Sequence, residues 1–262
     1  MIVNGSELHY DDIPARQAGG SPTTIVWLHG FLFTAELFRT VIDGLPAYRH
    51  IAIDSRGHGR SAGVTTDPTV SQMADDAWAI LQHLGVDRFV VVGHSLGNAV
   101  GMRLVSRHPD SVVAAVSLAG VPIAGLLENT REGNLALPAL QGDEEAMAAM
   151  LAALFVHESV EAIVKKGAAA ASLVSSEVLT SISLTELYRN DRDEILPGLT
   201  QPWLFIVPEN DLAIAAESQE ATARQIPGAR ILILRGEGHI YPQERPDATA
   251  AYIGAFLTSV GV

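Results

Sequence analysis

The chain has 262 residues, 48% of them hydrophobic, which is enough to fill a substantial core and too apolar for a disordered chain. Its 30 Asp+Glu against 17 Lys+Arg give a formal charge of −13, which repels a phosphate backbone and argues against nucleic acid as a partner. No cysteine occurs, so disulfides, thiolate metal sites and cysteine nucleophiles are excluded and any chemistry must use oxygen and nitrogen groups.

Taken from its start, MIVNGSELHYDDIP is polar and acidic where a secretory signal needs a basic start and an apolar run. No stretch reaches the roughly 18 to 20 apolar residues of a membrane span, so a cytoplasmic protein is expected. Short β-branched runs then recur: Thr23 to Gly30, His50 to Gly57, Arg88 to Ser95 and Val112 to Gly120, followed later by Pro202 to Asp211 and Ala229 to Gly238. Each ends in Gly, Ser or Asp and reads as a buried strand. Helical patterns lie between them. The clearest is Asp67 to Leu84, where Asp67 can cap, Pro68 suits the first turn, and Val70, Met73, Ala77, Leu81 and Leu84 recur at helical spacing. Leu96 to Arg107 and Pro246 to Val260 also read as helices. Strand alternating with helix predicts an α/β fold with a mostly parallel sheet and helices on both faces.

The alternation breaks between Pro122 and Thr200, where helical stretches such as Glu144 to Phe155 and Ser159 to Ala171 carry no convincing strand. The expected division is therefore a core of residues 1–121 and 200–262 with a helical lid of residues 122–199 inserted between two strands. Leu126, Leu127, Met147, Met150, Leu151, Leu154 and Phe155 could line a cavity under the lid, or simply pack it on the sheet.

Where the third predicted strand meets a helix, the sequence VVVGHSLGNAVG contains G-x-S-x-G, formed by Gly93, Ser95 and Gly97. A serine on so sharp a turn projects its hydroxyl above the sheet, and side chains two positions either side would collide with the neighbouring strand or helix. The helix after it aims its first amides at charge developing beside that hydroxyl. A serine of ordinary pKa needs a base and an orienting acid, expected in the order acid then histidine. Asp211, after the fifth run, and His239, after the sixth, both fall at the same carboxyl edge of the sheet as Ser95. Glu209 competes for the acid role from two residues away, whereas Leu118 to Gly125 offers no carboxylate. In WLHGFLF the tight turn at His29-Gly30 can aim the Phe31 amide at the site beside that of Leu96, giving two oxyanion donors. No histidine pair with a third ligand has metal-binding spacing, so neither a metal nor a cofactor is expected.

These pieces together resemble the α/β-hydrolase superfamily, in its lid-bearing branch of small esterases, lactonases, carbon-carbon bond hydrolases, epoxide hydrolases and haloalkane dehalogenases. The resemblance rests on HGF at His29 to Phe31, DSRGHGRS at Asp54 to Ser61, GHSLG at Gly93 to Gly97, END at Asp211 and GEGH at His239. It implies the α/β-hydrolase fold, a structural role for Asp54, Arg56 and His58, and acyl transfer to water. A serine at the elbow disfavours the epoxide hydrolases and dehalogenases, which use aspartate there, and the insertion has only Tyr188 where the former need a tyrosine pair. Asn98 and Phe38 depart from the glycine and tryptophan common at their positions. The expected function is hydrolysis of a carboxylic ester of a small to medium apolar substrate. The alternatives are an enol-lactone or carbon-carbon hydrolase, with Lys165, Lys166, Arg189 or Arg192 receiving a substrate carboxylate, and a hydrolase-like receptor or cofactor-free oxygenase.

Overall fold

The computed structural model describes residues 1–3, 5–125, 154–159 and 192–262, together with the single positions 149, 152, 174, 178 and 186. All six predicted strands are present: β4 (Thr24–Leu28), β5 (Arg49–Asp54), β6 (Phe89–His94), β7 (Val112–Leu118), β8 (Trp203–Pro208) and β9 (Arg230–Leu234). Three N-terminal strands were not anticipated: β1 (Ile2–Val3) and β2 (Ser6–Glu7), which form a small antiparallel pair, and β3 (His9–Ile13). The main sheet has the order β3-β5-β4-β6-β7-β8-β9, parallel throughout except that β3 runs antiparallel to β5 along the edge.

The reason β3 escapes a hydrophobicity reading lies in its sequence, HYDDI, none of whose residues is fully buried. Charge on an edge strand discourages further pairing. Here the charge also bonds across the strand, since Arg49 on β5 donates Nε and Nη2 to the two carboxylate oxygens of Asp12 at 2.8 and 2.7 Å. By contrast β4, β6 and β8 are buried along their whole length, which is why they read as unbroken apolar runs.

Successive residues of these strands feed two cores. On one face Val26, Leu28, Val91, Phe89 and Phe205 pack with Met73, Ala77 and Leu81 of α2 (Val70–His83) and with Val100 and Leu104 of α3 (Leu96–Arg107). On the other, Trp27, Val90, Val92 and Ile206 meet Val41 and Ile42 of α1 (Arg39–Asp43) and Ile253, Phe256 and Leu257 of α7 (Pro246–Ser259). Three further α-helices are α4 (Arg192–Ile195), α5 (Ala216–Ala223) and α6 (Tyr241–Glu244). Phe38 fills the second core against Trp27, ring centroids 5.0 Å apart.

The helix expected from Asp67 begins at Val70, with Thr69 as its cap. Asp67 instead takes a left-handed φ of 48°. Thr69 Oγ1 accepts from Gln72 N at 3.1 Å, and Glu186 Oε2, more than a hundred residues on in the chain, accepts from Val70 N at 2.7 Å. First-turn amides need such acceptors, and the second comes from a residue no local pattern could supply.

The Asp54 to Ser61 segment is built as a framework. Asp54 accepts from Ala35 N at 2.8 Å and Arg60 Nε at 2.7 Å, while Arg56 makes a two-pronged ion pair with Asp76 of α2, Nε to Oδ2 at 2.7 Å and Nη2 to Oδ1 at 2.8 Å, both residues buried. His58 Nδ1–H donates to Arg56 O at 3.1 Å, and burial pushes this ring down to about 3, so it is neutral. Val174 pairs with His58 in an isolated antiparallel bridge, and an added Cβ at Gly57 would lie 2.5 Å from Val178.

Of the expected lid cavity, Leu126, Leu127, Met147, Met150 and Leu151 lie outside the described residues, as do Lys165, Lys166, Tyr188, Arg189 and most of the two predicted lid helices. Leu154 and Phe155 are described, and both pack into the second core.

Candidate active site

β6 passes into α3 through Ser95, whose φ of 52° and ψ of −119° place a non-glycine residue in a sterically disfavoured conformation. The end of β7 holds it there: Ser95 N donates to Leu118 O at 3.0 Å, and Val121 N donates to Ser95 O at 3.1 Å. The flanking glycines are required by space. A Cβ at Gly93 would come within 2.5 Å of Gly97 O, and one at Gly97 within 2.0 Å of Leu28 O on β4. Asn98, whose position the sequence marks only as a departure, is buried and donates Nδ2–H to Val121 O at 3.1 Å, tying the same junction from the helix side.

Asp211 follows β8 and His239 follows β9, on neighbouring parallel strands that deliver both to one edge. His239 Nδ1–H donates to Asp211 Oδ2 at 2.8 Å, with both side chains almost wholly buried. The other carboxylate oxygen, Oδ1, accepts from Ala213 N and Ile214 N, each at 2.9 Å. Gln219 Nε2 of α5 also reaches Oδ2, at 3.1 Å. Glu209 takes no part in this: it accepts from Gly236 N at 3.2 Å and is exposed.

His94, the residue before Ser95, joins the elbow to the histidine loop. Its Nε2 lies 3.0 Å from His239 O, and because a carbonyl only accepts, Nε2 carries the proton. Its ring stands 4.9 Å from that of His239. Burial, reinforced by the neighbouring His239, holds His94 well below the usual histidine range, so it stays neutral. His94 thus links the turn that carries Ser95 to the His239 loop, and the hydrogen bonds of the described residues do not include one between Ser95 Oγ and His239 Nε2.

On the opposite side, His29 Nδ1–H donates to Gly30 O at 2.8 Å while its Nε2 accepts from Ser55 N at 3.0 Å, which closes the turn after β4. Burial lowers this histidine too. A Cβ at Gly30 would sit 2.7 Å from His94 Nδ1 and 2.9 Å from Ser95 Cβ, so the loop passes directly beside the elbow. The N–H groups of Phe31 and Leu96 donate to no acceptor among the described residues.

Ser95, Asp211, His239, Phe31 and Leu96 are therefore gathered at one sheet edge. The sequence did not single out His94, Gln219 or Glu244. His94 lies inside the G-x-S-x-G pattern, but Gln219 and Glu244 carry no local signal. Glu244 of α6 accepts from three successive amides, Val156 N at 3.1 Å, His157 N at 2.6 Å and Glu158 N at 3.0 Å, while Ile240 N donates to Leu154 O at 3.2 Å. The segment at 154–158 is thereby fastened to the loop that carries His239. Among the described residues no three His, Asp or Glu are grouped to hold a metal ion, and no helix is long and apolar enough to cross a membrane.

Comparison with known proteins agrees with this architecture. A 2-(acetamidomethylene)succinate hydrolase of Mesorhizobium japonicum is 24% identical over 251 residues, covering 92% of this chain and 90% of that protein. Among solved structures, Est816, an N-acyl homoserine lactone degrading enzyme, superposes with a TM-score of 0.81 at 27% identity, covering 97% of this chain and 98% of the other. The enol-lactonase of Burkholderia xenovorans LB400 gives a TM-score of 0.83 at 25% identity, covering 98% and 99%. The α/β hydrolase fold family model matches residues 23–246, from the residue before β4 to the first residue of α7. That span contains the elbow, the Asp211–His239 pair and every parallel strand, and the chain accordingly belongs to the α/β-hydrolase family and is a hydrolase of that fold.

Proposed function

We propose that this hydrolase cleaves a carboxylic ester of a small to medium apolar substrate through an acyl-enzyme on Ser95. The observation that carries the reading is the buried His239–Asp211 pair at 2.8 Å, tied through His94 to the strained turn that presents Ser95. His239 Nε2 takes the proton of Ser95 Oγ as the oxygen attacks the carbonyl carbon, and the Phe31 and Leu96 amides receive the oxyanion. The same proton passes to the departing alkoxide. Water, deprotonated by His239, then attacks the acyl carbon, and collapse releases the acid and restores Ser95. Asp211 holds the Nδ1–H tautomer and stabilises the imidazolium formed at each step.

Residues 122–199 act in this reading as a lid over the acyl pocket. Contacts of Val174 with His58, of Glu186 with Val70 N and of residues 154–158 with the His239 loop support that placement. A cytoplasmic site of action suits a chain without cysteine.

Ser95→Ala should abolish turnover of short-chain aryl esters and labelling by a fluorophosphonate, with the urea midpoint little changed. Retained turnover in that variant would overturn the assignment. A cyclic ester is the second reading, favoured by the two lactone-degrading structures at 25% and 27% identity. Comparing kcat/KM across lactones and open-chain esters of matched carbon number distinguishes them, because ring opening leaves alcohol and acid on one product.

A further inference from the structure

Gln219 lies on α5, and its side chain is buried. Its single amide nitrogen makes two bonds, to Asp211 Oδ2 at 3.1 Å and to Ile214 O at 2.9 Å. Both partners only accept, so the nitrogen rather than the oxygen of the amide must face them, and each of its two hydrogens has one acceptor. Ile214 is also the residue whose N–H bonds Asp211 Oδ1 at 2.9 Å. The Ile214 residue is thus gripped at both ends, by the carboxylate through its N–H and by Gln219 through its C=O.

From this geometry we infer that Gln219 is a positioning residue for the reaction, setting the orientation of Asp211 and sharing the oxygen to which His239 is bonded. The inference rests on the Ser95–His239–Asp211 reading above. The Asp211 side chain can turn about two bonds, and with only the two loop amides on Oδ1 it could swing Oδ2 away from His239. Gln219 removes that freedom from a rigid helix. Its N–H also draws electron density from Oδ2, so the carboxylate stabilises the imidazolium less strongly than a carboxylate held by backbone amides alone.

Removing the donor has two separable effects. Orientation is lost, which lowers kcat, and the unshared Oδ2 holds the His239 proton more tightly, which moves the acid limb of the kcat/KM profile to higher pH. The other titratable groups around His239 are His94, held neutral, and Tyr241, which burial and the Asp211 charge push well above its ordinary range. On its own loop, Glu237 is paired with Arg245 at 3.3 Å and with His157 at 2.8 Å. None of these contacts Gln219, so its replacement leaves them as they are.

The test is Gln219→Met, which keeps length and volume but has no amide. For a short-chain aryl ester, kcat should fall about ten-fold with KM unchanged, and the acid limb should rise by about half a pH unit. A residue that merely supports the fold would lower the amount of active enzyme without moving the limb, because the pH at half-maximal kcat/KM does not depend on how much protein is folded. Fluorophosphonate titration of active sites normalises kcat for that amount. Gln219→Leu, which likewise has no donor, should move the limb upward as well. An unmoved limb in both variants overturns the inference, and so does a fall confined to the titrated concentration of sites. Ser95→Ala run in parallel separates the two failures: turnover by that variant removes the serine reading itself, whereas an inactive Ser95→Ala beside an unmoved Gln219→Met limb removes only the role of Gln219.

Discussion

Acid should unfold this protein through histidines that are neutral in the native state, and His50 allows the effect to be worked through. Trp27 Nε1–H donates to His50 Nδ1 at 3.1 Å, and His50 Nε2–H donates to Leu45 O at 2.9 Å, so both ring nitrogens are committed and neither can take a further proton without breaking a bond. The residue is 1% exposed. Burial is the main cause that lowers its pKa from 6.5 to about 4. In the unfolded chain it is about a quarter protonated at pH 7 and almost fully so at pH 5, while the folded form stays neutral at both. The unfolded state therefore binds more protons throughout this window, and stability falls as pH drops from about 7 towards 4 and changes no further below the folded pKa. Between pH 7 and pH 5 the loss from this one group comes to about 2 kcal/mol. His50→Gln can keep both bonds, accepting from Trp27 and donating to Leu45, but cannot titrate. Urea unfolding at pH 7 and pH 5 should show the wild-type loss reduced by about 2 kcal/mol in this variant, whatever its absolute stability. Equal losses in the two proteins would refute the reasoning.

The buried Arg56–Asp76 pair gives a second test. Asp76→Asn leaves the guanidinium without its countercharge and should cost about 3 to 5 kcal/mol in urea unfolding, whereas pairs at the surface such as Arg16–Asp43 should contribute under about 1 kcal/mol. Glu244→Ala withdraws the acceptor of three amides and frees residues 154–158 from the His239 loop. It should lower kcat/KM about ten-fold while Gln219 and Asp211 remain bonded, and steady-state assays on a short ester check it. An unchanged kcat/KM would mean that the loop is held by other contacts.

The inner parallel strands were legible because they are covered on both faces, so that nearly every residue of β4, β6 and β8 is apolar, whereas β9 at the sheet edge is largely exposed and was legible from its β-branched run RILIL alone. The edge strand β3 was not, since its HYDDI sequence earns its place through pairing with β5 and the Asp12–Arg49 bond. The start of α2 was misplaced at Asp67 for a similar reason, as the oxygen that completes its cap comes from Glu186. Ser95, with glycines on both sides, was recognisable from local spacing because the steric demand is itself local: two Cβ atoms have no room. Asp211 and His239 were found by their positions at strand ends, which a parallel sheet must bring to a common edge.

By itself, then, the sequence determined the parallel strands, the elbow and the order of the chemical groups, because hydrophobic periodicity and glycine sterics act over a few residues. Only the tertiary structure decided that Asp211 rather than Glu209 reaches His239, that His94 is held neutral beneath the histidine loop, and that Gln219 and Glu244 grip the two loops. Such contacts join groups from 8 to 145 residues apart along the chain, and hydrogen-bond geometry at that range is set by how strands and helices pack rather than by any local pattern.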